Sequence, residues 1–246
     1  ILKSADRPKT GPLPSEKGRV VGVVAAKGGL GVSTVALNMA ISYKKATNAR
    51  AIAAELKPGE GTWGIELGLE NKTGLTKLLE MGVPDITARA ISEVLVPTQY
   101  GVPILLATNE PRAGLLAANT QQYRAIIEQM ASLAEMTILD IGTSFHPSFD
   151  AIIENCNELV LVIDPQPLCI KQTRVLLDYL KPYGFGPIKS ISIVMVNRSR
   201  ADMSMSMSQI EEVLGMNVAV GIPPSGEQAY FSMTKNMPLA LVQPDG

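Results

Sequence analysis

Apolar residues along this chain gather in short unbroken runs that alternate with stretches of helical spacing. The first run, Val20 to Val24, interrupts its valines only at Gly22, the pattern of a strand covered on both faces. Further runs predict strands at 50–55, 102–107, 136–140, 159–164, 190–196 and 217–221. Between them, helical spacing starts at Ser33 and runs to about residue 45. It returns in two short pieces at 73–94, around Leu75, Leu78 and Leu79 and then Ile86, Ala90 and Ile91. At 119–133 the apolar positions are 123, 126, 127, 130 and 133, and three more helices follow at 167–181, 208–214 and 225–235. Strands alternating with helices in this way predict an α/β fold: a doubly wound, mostly parallel sheet with helices on both faces.

The junction between the first strand and the first helix carries the chemistry. Lys27-Gly28-Gly29-Leu30-Gly31-Val32-Ser33-Thr34 is a glycine-rich turn opening directly into a helix. Its backbone N–H groups and the helix dipole would face one concavity, which is a cradle for phosphate. Against the P-loop pattern G-x-x-x-x-G-K-[ST], the register runs from Ala26 to Ser33. Ala26 replaces the first glycine, and Val32 stands where a phosphate-binding lysine is expected.

Two acidic strand ends lie downstream. Asp140 closes the run Met136 to Leu139, the shape of a buried strand delivering a carboxylate to a magnesium-bound water. Residues 141–147 would then form the loop that senses a terminal phosphate. Glu55 ends the second strand and joins Ser33 and Asp140 as a candidate metal position. His146, the only histidine, precedes a proline in a loop and reads as a solvated residue without a role. Trp63, the only tryptophan, reads as a core or interface anchor.

Bulk properties narrow the surroundings. A net charge of −1 argues against broad electrostatic binding of nucleic acid. Cys156 and Cys169 have neither C-x-x-C spacing nor histidine partners and read as reduced core thiols of a cytoplasmic protein. Residues 1–18 are rich in proline, glycine and charge, the composition of a linker without stable structure of its own, leaving 19–246 as one P-loop domain. A linker ahead of a chain that opens on Ile1 points to an upstream domain.

The motifs resemble a known family. KGGLGVST followed by NMA, GIELGLE after the second strand, VNR at 196–198 and GIPPSGEQAY with NMPL near the end are similar to MinD/ParA-type ATPases with a deviant Walker A box. Within that family they look most like the CpaE/TadZ pilus-assembly branch, which places a receiver-like domain upstream. The resemblance implies ATP or ADP with Mg2+ as cofactors and an ATP-dependent homodimer. It also implies pilus or secretion components as partners, with peripheral attachment at the inner membrane or a cell pole left open. Carried over by position, Lys27 matches the signature lysine that reaches phosphate across the dimer. Gly28, Gly29, Leu30, Gly31, Val32, Ser33 and Thr34 line the phosphates, with Ser33 also at the metal. Asn197 would contact adenine, with Arg198 and Pro223 beside it. The family has an Asp-x-Asp pair where this chain has Glu55 and Lys57, and the second aspartate positions the attacking water. Val32 and Lys57 therefore imply weak or absent hydrolysis. An active ATPase positioning division machinery or segregating DNA, and a nucleotide-free scaffold, are the alternatives.

Overall fold

A computed structural model describes residues 17–70, 73–197 and 204–242. The strands are β1 (Arg19–Ala25), β2 (Ala51–Glu55), β3 (Ile104–Leu105), β4 (Met136–Thr143), β5 (Glu158–Ile163), β6 (Ser190–Val196) and β7 (Val218–Ile222). The helices are α1 (Val32–Thr47), α2 (Trp63–Glu66), α3 (Gly74–Glu80), α4 (Ala88–Val94) and α5 (Thr120–Leu133). After these come α6 (Phe149–Glu154), α7 (Pro167–Leu180), α8 (Met207–Leu214), α9 (Gly226–Thr234) and α10 (Leu239–Val242). All seven strands are parallel, in the order β3-β2-β4-β1-β5-β6-β7, as the alternation of strands and helices requires.

Strand β1 lies at the centre because its residues tolerate neighbours on every side. Val20, Val21, Val23 and Val24 are all buried. At Gly22 a Cβ would meet Ile141 Cδ1 at 2.7 Å and Leu159 Cδ2 at 2.8 Å, so glycine lets side chains from β4 and β5 close over the strand. Cys156 packs into the same space, and burial pushes its thiol up to about 12, which leaves it unreactive.

The expected third strand, 102–107, pairs only at Ile104 and Leu105, although its flanking residues are buried. Residues 111–118, unassigned by spacing, form a 3-10 helix opened by Pro111. Strand β4 runs three residues past Asp140 and stays paired with β1 through a register shift between Val23 and Val24. The proposed linker lies outside the described residues except for its end, where the Gly18 amide donates to the Ala131 carbonyl at 2.7 Å. No helix among the described residues is long and apolar enough to cross a membrane.

Candidate nucleotide site

The C-terminal ends of β1, β2, β4 and β5 converge on one edge of the sheet. In open parallel sheets, ligands bind at this edge where the strand order reverses. The register places Ala25 beside Thr143 and Glu55 beside Asp140. From Ala25 the chain enters the glycine loop, where Gly29 and Gly31 take left-handed φ of 77° and 88° that other residues rarely adopt. A Cβ on Gly31 would meet nothing within 4 Å, so the loop borders open space at the start of α1. Leu30 and Val32 turn their side chains into the core, 1% and 7% exposed, and can offer a ligand only their backbone.

Lys27 does not stand free in solvent. Its Nζ lies 3.2 Å from Asp164 Oδ2, just past β5, and 3.5 Å from Gln166 Oε1. Asp164 escaped the sequence reading, although it ends a buried strand just as Asp140 does. That shared pattern was the available signal.

Lys57 fills the centre of the site. Its Nζ donates to Ser33 Oγ at 2.8 Å and pairs with Asp140 Oδ2 at 3.0 Å. Asp140 Oδ1 accepts from the Gly142 amide at 3.0 Å, and the aspartate is fully buried. Magnesium does not fit this arrangement, because the two oxygens expected to hold it are both taken by an ammonium. No group of three or more His, Cys, Asp or Glu residues that could hold a metal occurs among the described residues.

Glu55, expected as a candidate metal position, has its carboxylate held by backbone amides. Its Oε1 accepts from the amides of Thr62 (2.7 Å) and Trp63 (3.0 Å), and its Oε2 accepts from that of Ala107 (3.1 Å). Three amides that would otherwise be buried and unmatched use up the carboxylate. Desolvation still dominates and raises its pKa to about 7. Trp63 is a buried core residue, as its composition suggested, and its Nε1 also donates to the Ser33 carbonyl at 3.1 Å. Glu66, on the next turn, is half-buried. Its pKa is raised, chiefly by desolvation, within the electrostatic reach of Lys57 and Asp140.

His146, expected as a solvated residue, is half-buried and edge-on to Tyr123 with ring centroids 5.1 Å apart, and burial lowers its pKa. Its Nδ1 accepts from the Ser148 amide (3.1 Å), so Nε2 carries the hydrogen and donates to the Leu56 carbonyl (2.8 Å). The Tyr123 hydroxyl donates to that same carbonyl at 3.2 Å.

The remaining candidates are spread along the edge. The Asn197 amide donates to the Ile222 carbonyl at 2.8 Å, which brings Asn197 next to Pro223 at the ends of β6 and β7. Arg198 lies outside the described residues. Thr34 lines a separate small cleft with Asn38, Met233 and Met237.

A parallel seven-stranded sheet with a glycine loop leaving its central strand is the P-loop NTPase fold of the MinD/ParA kind. The chain is 26% identical over 243 residues to the chloroplastic homologue of the septum site-determining protein MinD from Arabidopsis thaliana, covering 94% of this chain and 72% of that one. A ParA family ATPase from Chlorobium tepidum shares the fold with a TM-score of 0.81 at 22% identity, covering 94% of this chain and 93% of its own. The septum site-determining protein MinD of Pyrococcus horikoshii, solved with Mg-ADP, has a TM-score of 0.76 at 16% identity, covering 93% and 90%. No protein-family model matches the chain. Similarity to MinD along nine-tenths of the sequence supports homology with the MinD/ParA ATPases.

Proposed function

We propose that this protein binds ATP or ADP at the glycine loop and acts as a dimerising localisation factor in which hydrolysis is weak or absent. The observation that carries the reading is Lys57 between Ser33 and Asp140, where a hydrolytic site needs a metal and an activated water. The loop still offers backbone amides and the α1 dipole to phosphate, and neither depends on a lysine at position 32. Binding therefore survives the departures at Val32 and Lys57 better than turnover does. Gly28, Gly29, Leu30, Gly31, Ser33 and Thr34 would surround the phosphates, and Asn197 with Pro223 would reach the base.

The finer role, localisation of a pilus or secretion assembly, rests on the resemblance of KGGLGVST, VNR and GIPPSGEQAY to that branch. Similarity to MinD favours the second reading, a factor that positions division machinery. That second reading is of an active ATPase, so the two part on turnover, and the first makes the following prediction. Steady-state phosphate release should stay near background, because losing one preorganised transition-state charge typically costs about a hundred- to a thousandfold in rate. Release at ~1 per second or faster by the isolated protein, an ordinary enzymatic rate, would refute the weak-hydrolysis reading.

A further inference from the structure

Divalent cations in P-loop sites bind a hydroxyl of the first helical turn and are positioned by the carboxylate ending a neighbouring strand. Magnesium needs oxygens at about 2.0–2.1 Å in a near-octahedral shell. Here the hydroxyl is Ser33 and the carboxylate is Asp140, and the Lys57 ammonium lies within hydrogen-bonding distance of both.

The lysine is held there from several directions. The Leu56 amide donates to the Asp140 carbonyl at 2.9 Å, and the Leu56 carbonyl accepts from both Tyr123 and His146. The backbone next to Lys57 is thus fixed to β4, α5 and the loop after β4. The aliphatic stem crosses Gly142, where a Cβ would lie 2.6 Å from Lys57 Cδ, so the path exists only over a glycine. Asp140 is fully buried, and its charge needs a partner whether or not a ligand is bound.

We propose that the Lys57 ammonium takes the place of the divalent cation, so that nucleotide phosphate is bound without magnesium. The inference rests on the nucleotide-binding reading above. The Lys57 ammonium donates to Ser33 and pairs by charge with Asp140, which leaves donor capacity available to a phosphate oxygen. It carries half the charge of a divalent ion but is tethered, so binding loses no freely diffusing cation. Magnesium would have to expel the Lys57 ammonium from the buried Asp140 to reach its ligands. Magnesium held by ATP in solution should then hinder binding or leave it unchanged.

Calorimetric titration of ATP into the wild-type protein, once in EDTA and once in millimolar magnesium, tests this. The expected Kd in magnesium is no lower than about a third of that in EDTA. A larger tightening by magnesium overturns the proposal while leaving nucleotide binding intact. Absence of binding in both buffers removes the nucleotide-binding reading and the inference with it. The variant Lys57→Asn, checked for folding by circular dichroism, should lose about tenfold or more in EDTA and recover part of that with magnesium. Should the variant not fold, the wild-type pair of titrations still decides. Equal affinity of a folded Lys57→Asn variant in EDTA would also overturn the proposal.

Discussion

Two lysine–aspartate pairs flank the glycine loop, and they differ in how much water each retains. Lys27 and Asp164 keep 27% and 8% of their side chains exposed, whereas Lys57 and Asp140 keep 12% and 0%. Lys27 sits on a turn between elements, and among the described residues one carboxylate and one amide oxygen meet its ammonium. Lys57 follows a strand end whose neighbouring carbonyl is fixed twice. An ion pair that keeps its water can be exchanged at little cost, while a dry one costs much to separate. The first is suited to leave its partner when a ligand arrives, and the second to hold the floor of the site.

The difference can be broken most sharply at Lys57. Lys57→Met should leave Asp140 buried without a counter-charge and cost about 3–5 kcal/mol of stability, measured by urea unfolding at neutral pH. A loss under about 1 kcal/mol would mean that water reaches Asp140 and that the pair is not dry.

Acidity sharpens the comparison further, because Glu55 lies in register beside Asp140. Burial raises its pKa from 4.5 to about 7, so between those values the folded protein holds a proton that the unfolded chain has lost. Stability from this group is therefore complete below about pH 4.5 and falls as pH rises through about 7, by about 1–3 kcal/mol. His146 works in the opposite direction, since its lowered pKa makes the fold lose stability as pH drops below 6.5. The readout is thus the difference between wild type and Glu55→Gln, whose amide imitates the neutral acid. That difference should change between pH 5 and pH 8, and a constant difference would show that Glu55 is ionised throughout.

The smallest effect on the fold is expected at Lys27. Lys27→Ala should change stability by less than about 1 kcal/mol. It should nonetheless weaken ATP-promoted dimerisation, because the same ammonium, released from Asp164, would meet phosphate on the second copy. Sedimentation of wild type and variant with and without ATP measures this. A wild type that sediments identically in both conditions would return Lys27 to a local role.

The parts legible from sequence were those written in consecutive residues. Lys27 to Thr34 announces a phosphate loop because turn, glycines and helix start are contiguous, and the Val20–Val24 run announces the central strand. Lys57 was visible as a departure, but its place between Ser33 and Asp140 depends on β2 pairing with β4, some 85 residues further on, where Glu55 aligns with Asp140. Spacing within one segment carries no such information. Glu55 looked like a metal position because it ends a strand. Its real partners are amides of the turn after β2 and the segment after β3, and backbone donors leave no mark in a sequence. His146 looked solvated for a related reason, since the Leu56 carbonyl and Tyr123 that enclose it come from other segments.

The position of β1 between β4 and β5 also sets a timetable for synthesis. Val21 pairs with Ile138 on one side and Glu158 on the other, so the strand that launches the glycine loop precedes both of its neighbours by more than a hundred residues. Until a ribosome has released more than a hundred further residues, the nascent segment has no neighbour in its own sheet, and its valines must wait exposed or shielded by other factors. The loop inherits that delay. Its curvature is held by contacts that arrive with Thr143 and Asp164, so the phosphate cradle takes shape only after most of the chain has emerged.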